Sequence, residues 1–189
     1  MATVAIHDKP LHSKLNDVVY LCRDSKNIDK RRLRDAGDVM QHVSTDRLLQ
    51  VMSDGDKPRA DDDASKCRIR LRDMRQELTD SAREAFTGIG LMDSGDRIYI
   101  SGNGFYPKNS YMGWHTNSNS GGLRVYCNWA RETGKSGLCY YHEGFDTARQ
   151  VSLDCAGWNF RIFRTDYSYP FWHSVFSKTS RISIGFRIR

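Results

Sequence analysis

The feature that most limits what this chain can fold into begins after Asp93-Ser94-Gly95-Asp96. From there, short aromatic and β-branched runs alternate with Gly, Asn, Ser and Pro. That texture predicts strands near 97–101, 111–117, 123–129, 138–142, 148–153, 159–164, 171–176 and 181–188. Eight short strands joined by turns favour a sandwich or closed barrel over a parallel α/β sheet.

Within that region one pattern carries chemistry. Side chains alternate across a strand, so His115 and Asn117 share a face of an extended Tyr111–Asn117. His173 and Val175 share a face further on, as do Arg181, Ser183 and Gly185. Two imidazoles, an oxygen-bearing side chain, a guanidinium and a hydroxyl converging in a barrel have the composition of a two-histidine, one-carboxylate iron site beside a carboxylate pocket. Each residue also has a plainer role. A histidine among aromatics such as Trp114 and Trp172 is usually a packing residue. Arg181 is one of several strand arginines, and Arg187 shares its face.

The order His-x-(acid position), His, Arg-x-Ser resembles the iron(II)/2-oxoglutarate-dependent oxygenases. The resemblance is to the prolyl-4-hydroxylase-like branch, including small versions carried by cyanophages. Tyr126-Cys127-Asn128 resembles the Tyr-Leu-Asn after the first histidine of that branch. Lys135-Ser136-Gly137-Leu138 looks like its Gly-Gly turn, and Gly157–Phe163 like the strand before its second histidine. The spacing from His173 to Arg181, 181 − 173 = 8, fits as well. The resemblance covers about residues 97–189.

What it implies is a mainly β double-stranded β-helix, or jelly-roll, over residues 97–189, with an N-terminal helical extension over 1–96. The implied activity is that of a dioxygenase. Iron(II) would be held by His115, His173 and Asn117, and 2-oxoglutarate by Arg181 and Ser183. Tyr126, Asn128 and Tyr99 would line the cosubstrate pocket. With O2, 2-oxoglutarate would be decarboxylated oxidatively while a C–H bond of an unnamed substrate is hydroxylated.

Asn117 stands where the family has Asp or Glu. An amide brings a dipole to a divalent ion where a carboxylate brings a charge. Asn117 or water completes the site, or an acid such as Glu143 or Asp154 reaches in. Otherwise the jelly-roll is a non-catalytic binding or structural protein, for instance a phage virion component with an assembly partner.

The first 96 residues are less informative. Leu11, Leu15, Val18, Val19 and Cys22 recur at helical spacing over 9–24. Residues 26–38 mix both charges, including Lys30-Arg31-Arg32. Such a stretch is a solvated face far more often than a phosphate contact, so nucleic acid is a weaker reading. Ser44 or Thr45 caps a short helix that Asp54-Gly55 breaks. Asp61-Asp62-Asp63 reads as a loop and N-cap ahead of the best helix, about 64–88. That helix carries the stripe Leu71, Met74, Leu78, Ala82, Ala85, Phe86 and Ile89, and the resemblance places it outside the larger sheet.

A net charge of +6 on 189 residues is modest and suits an anionic partner or a basic surface. Five cysteines without a C-x-x-C pair point to free thiols in a reducing compartment. No secretory leader pattern and no apolar run of about 20 residues occurs, so the expected setting is cytoplasmic, without a membrane.

Overall fold

The computed structural model describes residues 1–55, 62–117, 120–142, 148–166, 168 and 170–189, with only the backbone of His142. The elements run β1 (Ala2–Val4), α1 (Lys9–Leu21), β2 (Ile28–Asp29), α2 (Val39–His42), α3 (Thr45–Ser53), β3 (Ala64–Ser65), β4 (Cys67–Ile69) and α4 (Met74–Gly88). Eight longer strands follow: β5 (Ile98–Tyr106), β6 (Ser110–His115), β7 (Gly122–Ala130), β8 (Ser136–His142), β9 (Gln150–Leu153), β10 (Gly157–Thr165), β11 (Phe171–Ser177) and β12 (Arg181–Ile188).

These eight are divided between two antiparallel sheets, and successive strands change sheet except for the β8–β9 pair. One has the order β1-β10-β7-β12-β5-β4-β2 and the other β3-β6-β11-β8-β9. With β5, β7, β10 and β12 in one sheet and β6, β8, β9 and β11 in the other, the architecture is a jelly-roll. All eight strands expected from the turn spacing are present.

Period-two burial follows from two packed layers. Along β12, Ile182, Ile184, Phe186 and Ile188 face outward, into a cluster with Leu11, Leu15 and Val18 of α1 and Leu78, Ala82 and Phe86 of α4. The expected helix packs outside the larger sheet. Trp114, Trp172 and Phe176 cover the other sheet's outer face, against Val39, Val43 and Leu48. Trp114 and Trp172 are therefore packing residues, and the Trp114 indole donates to the Ser44 carbonyl at 3.0 Å. Burial on this scale, at roughly 25 cal/mol per Å² of apolar surface, is the main stabilising term.

The front of the expected 64–88 helix is extended instead. Its residues alternate, with Cys67 and Ile69 buried and Arg68 exposed, and β4 pairs with β5. The helix starts at Met74, after Arg72 takes a left-handed φ of 42°. Ile89, placed on the apolar stripe, is exposed. Four short strands from the first 96 residues join the sheets: β1 pairs with β10, β2 with β4, β3 with β6 and β4 with β5. Ser44 caps α3 through its hydroxyl, which accepts from the Arg47 amide.

Asp63 caps no helix. It accepts the Tyr111 hydroxyl at 2.8 Å and lies within ion-pair distance of Arg34 and Arg47. Among the described residues no helix is long and apolar enough to cross a membrane. All five cysteines are free.

The connections between β5 and β6, β7 and β8, β9 and β10, and β11 and β12 close one end of the fold, here the turn end. The end of β6 at His115, the start of β7 at Gly122, the end of β10 at Thr165 and the start of β11 at Phe171 lie at the opposite end, here the histidine end.

Candidate active site

A β-bulge aims the first histidine. His173 pairs with His115, but Val175 pairs with Met112, so three steps on β6 oppose two on β11. The extra residue lies at Gly113-Trp114, and bulges of this kind re-aim side chains. Gly113 is needed there because a Cβ would meet the Asp63 carboxylate at 2.7 Å. With Trp114 outside, His115 turns inward and its ring centroid sits 4.0 Å from that of His173.

Both rings are fully buried and held alike. His115 Nδ1 lies 2.9 Å from the Gly113 carbonyl, and His173 Nδ1 lies 3.0 Å from the Phe171 carbonyl. A carbonyl only accepts, so each Nδ1 carries the proton and each Nε2 presents a lone pair. His115 Nε2 is buried without a partner. An unsatisfied buried acceptor costs about 1–3 kcal/mol, which a metal ion would recover. Burial drives the His115 pKa down to about 4, against the pull of the Gly113 carbonyl and with help from Lys66 and Arg124. Burial, then its neighbour His115, pushes His173 well below its ordinary value. Both rings are neutral near pH 7, the form that binds metals.

Asn117 reaches the pair by a different route from the expected one. The strand ends at His115, and Asn117 takes a left-handed φ of 54°, which asparagine tolerates. Its Nδ2 donates to His173 Nε2 at 3.1 Å and to the Tyr126 hydroxyl at 3.4 Å. A half-turn of the amide would put Oδ1 in that place, since the two ends are nearly isosteric. Two imidazole nitrogens and one amide oxygen fit a divalent ion such as iron(II) in donor type, without the charge of a carboxylate. Among the described residues no group of three or more His, Cys, Asp or Glu side chains comes together. Glu143 lies outside the described residues.

Aromatic rings close off His173: Phe163, Phe171 and Tyr126 have centroids 5.2, 5.6 and 6.2 Å away. Gly185 makes room for Tyr126, whose ring would lie 2.7 Å from a Cβ there. A cavity of about 460 Å³ reaches His115 and Asn117, with Tyr126, Tyr106 and Ser183 in its wall.

Arg181 sits deeper, at the turn end, in register with Tyr106 and Ala130. Its Nε donates to Asp154 Oδ2 at 2.8 Å, and Arg161 donates to Oδ1 at 2.6 Å. The Ser136 hydroxyl also donates to Asp154 Oδ2 at 2.6 Å. Burial would raise the Asp154 carboxyl, but Arg181, Arg161 and Ser136 outweigh it and hold the pKa below its usual range. Asp154 therefore serves the arginines and not a metal. Both terminal nitrogens of Arg181 are buried and unpartnered, with the guanidinium 5.4 Å from the Tyr106 centroid.

Asn128, in register with Ser183, is buried and its Oδ1 has no partner. Tyr99 does not line the cavity; it is largely exposed and lies under the Arg187 guanidinium. Asp154 and Arg124 have roles that the sequence reading did not assign. Arg124 alternates with Tyr126 and Asn128 on one strand, a signal that places all three on one face.

No family model matches the chain, and no curated protein matches it. Among solved structures it is similar to a 2OG-Fe(II) oxygenase family oxidoreductase from Burkholderia pseudomallei (TM-score 0.41, 13% identity, 59% of this chain and 50% of that one). It spans half the length of that relative. It is also similar to a Pseudomonas putida prolyl-4-hydroxylase (0.41, 13%, 95% and 98%). A third is a Trichoplax adhaerens prolyl hydroxylase in complex with a hypoxia inducible factor peptide fragment (0.42, 15%, 94% and 91%).

Proposed function

We propose that the protein is an iron(II)/2-oxoglutarate-dependent dioxygenase acting on a C–H bond. The observation that carries this reading is the buried, unpartnered His115 Nε2 beside His173 Nε2, with both Nδ1 atoms locked by carbonyls. His115 and His173 would hold iron(II) through Nε2, with the Asn117 amide oxygen as a neutral third donor. When bound, iron supplies the redox chemistry of oxygen activation.

The chain's own residues do the rest. Arg181 offers two buried N–H groups, and a guanidinium fork matches a carboxylate of 2-oxoglutarate. Asp154 fixes that guanidinium, and Ser183 lies two residues on along the same strand face. Tyr126, in the cavity wall, and the buried Asn128 would face the cosubstrate between arginine and histidines. Phe163 and Phe171 keep water from His173. No step needs a protonated imidazole, consistent with the depressed pKa values.

A second reading has one observation in its favour. The Asn117 amide already satisfies His173 Nε2, as in a jelly-roll that binds or assembles without metal. Turnover decides between them. The oxygenase reading expects 2-oxoglutarate to be converted to succinate only with iron(II), and the conversion to vanish in His115→Ala and His173→Ala. Equal turnover in those variants, or none in the wild-type chain or in Asn117→Asp, would leave the binding protein.

A further inference from the structure

At the histidine end, three arginines gather around the 120–122 turn. Arg124, on β7, is buried; its Nε donates to the Thr165 hydroxyl at 3.3 Å, and another nitrogen donates to the Ser120 carbonyl. Arg187 lies opposite Arg124 in the sheet register. It contacts the Ser120 hydroxyl, and its Nε is buried without a partner. Arg189 donates from Nε to the Gly121 carbonyl at 3.1 Å.

Their acceptors are carbonyls and hydroxyls. Among the described residues none of the three has a carboxylate partner. Burial, then the repulsion of its neighbours, lowers the pKa of Arg124, and the same causes act on Arg187. Like charges held together without a counterion are costly unless a ligand supplies the charge.

The cavity that reaches His115 joins this cluster through Arg124. Its opposite wall, the β2–β4 edge, adds Arg31, Arg32, Lys66 and Arg68. Among the described residues of that lining Asp29 is the acid, and Arg31 already holds it with two nitrogens. Among the described residues the lining carries more cations than acids, which favours an anion. Clustered guanidiniums favour the tetrahedral, multiply charged phosphate over a single carboxylate.

We infer that Arg124, Arg187 and Arg189 bind a phosphate group of the substrate, so that the oxidised C–H bond belongs to a phosphate-bearing molecule. This rests on the oxygenase reading for the chemistry, and the binding itself does not. The phosphate is that of a small phosphorylated compound or of a single nucleic-acid strand crossing between the two basic banks.

The test is titration of the metal-free full chain with three probes: a nucleoside monophosphate, a short single-stranded oligonucleotide and an oligoglutamate peptide. In parallel, 2-oxoglutarate binding is followed with iron(II) present. The wild-type chain should bind one or both phosphate probes and not the peptide. Arg187→Gln and the exposed Arg189→Gln should each weaken binding about tenfold while leaving 2-oxoglutarate binding intact. For the strand, each should also reduce the salt slope by about one.

Preference for the monophosphate assigns a small substrate, and preference for the strand a polynucleotide. Peptide binding equal to phosphate binding, unchanged affinity in both variants, or one-for-one displacement of phosphate by 2-oxoglutarate overturns the proposal. Phosphate binding without any 2-oxoglutarate binding upholds the subsite and removes the oxygenase reading instead.

Discussion

The two ends of the barrel both bury arginine and treat it in opposite ways. At the turn end, Arg161 and Arg181 share one carboxylate, Asp154, whose two oxygens receive three short hydrogen bonds. At the histidine end, Arg124, Arg187 and Arg189 meet carbonyls and hydroxyls. The first arrangement is a structural ion cluster with one cation in surplus. The second is a concentration of like charge without a carboxylate partner among the described residues. A guanidinium therefore says little about function until its counterion is identified.

The largest expected effect comes from removing that counterion at the turn end. Asp154→Ala strands two buried guanidiniums and should destabilise the fold by about 3–5 kcal/mol in denaturant unfolding. A loss below about 1 kcal/mol would mean that the cluster is not the anchor described here.

Next is acid sensitivity at the histidine end. The folded pKa of His115 is depressed to about 4 from 6.5, so the unfolded chain binds a proton in that window and the native chain does not. Stability is then full above about pH 6.5 and falls as pH drops towards 4, by up to about 3 kcal/mol for this residue. His173 acts in the same direction. Unfolding curves across this range should steepen in wild type and flatten in His115→Gln.

The smallest effect sharpens the contrast with Asp154. Arg187→Gln relieves like-charge repulsion and should leave stability within about 0.5 kcal/mol, or raise it. A thermal shift downward by several degrees would show that the histidine-end arginines are structural after all.

How the sequence carries this arrangement differs by region. Alternation from Ile98 to Ile188, with turn residues between, made the jelly-roll strands legible, because both sheets bury their outer faces under helices. Residues 64–69 were expected at the front of the helix: Ala64 and Cys67 stand at helical spacing ahead of Leu71, and only pairing with β5 and β6 decides for strands. The convergence of His115 and His173 followed from period two, although the bulge at Gly113-Trp114 leaves no local signature of its own. Asn117 was expected on an extended strand and reaches His173 from a left-handed turn. Asp154 could not be read as Arg181's partner, since the two lie 27 residues apart and meet only through the β9–β10 connection.

The central claim is that two neutral imidazoles form a metal site despite the amide at position 117. The most direct measurement is anaerobic addition of iron(II) and 2-oxoglutarate to the purified chain, followed by visible absorption. The account predicts a metal-to-ligand charge-transfer band that disappears in His115→Ala and His173→Ala and strengthens at lower iron concentration in Asn117→Asp. No band and no bound iron, in the wild-type chain and in Asn117→Asp alike, would contradict it.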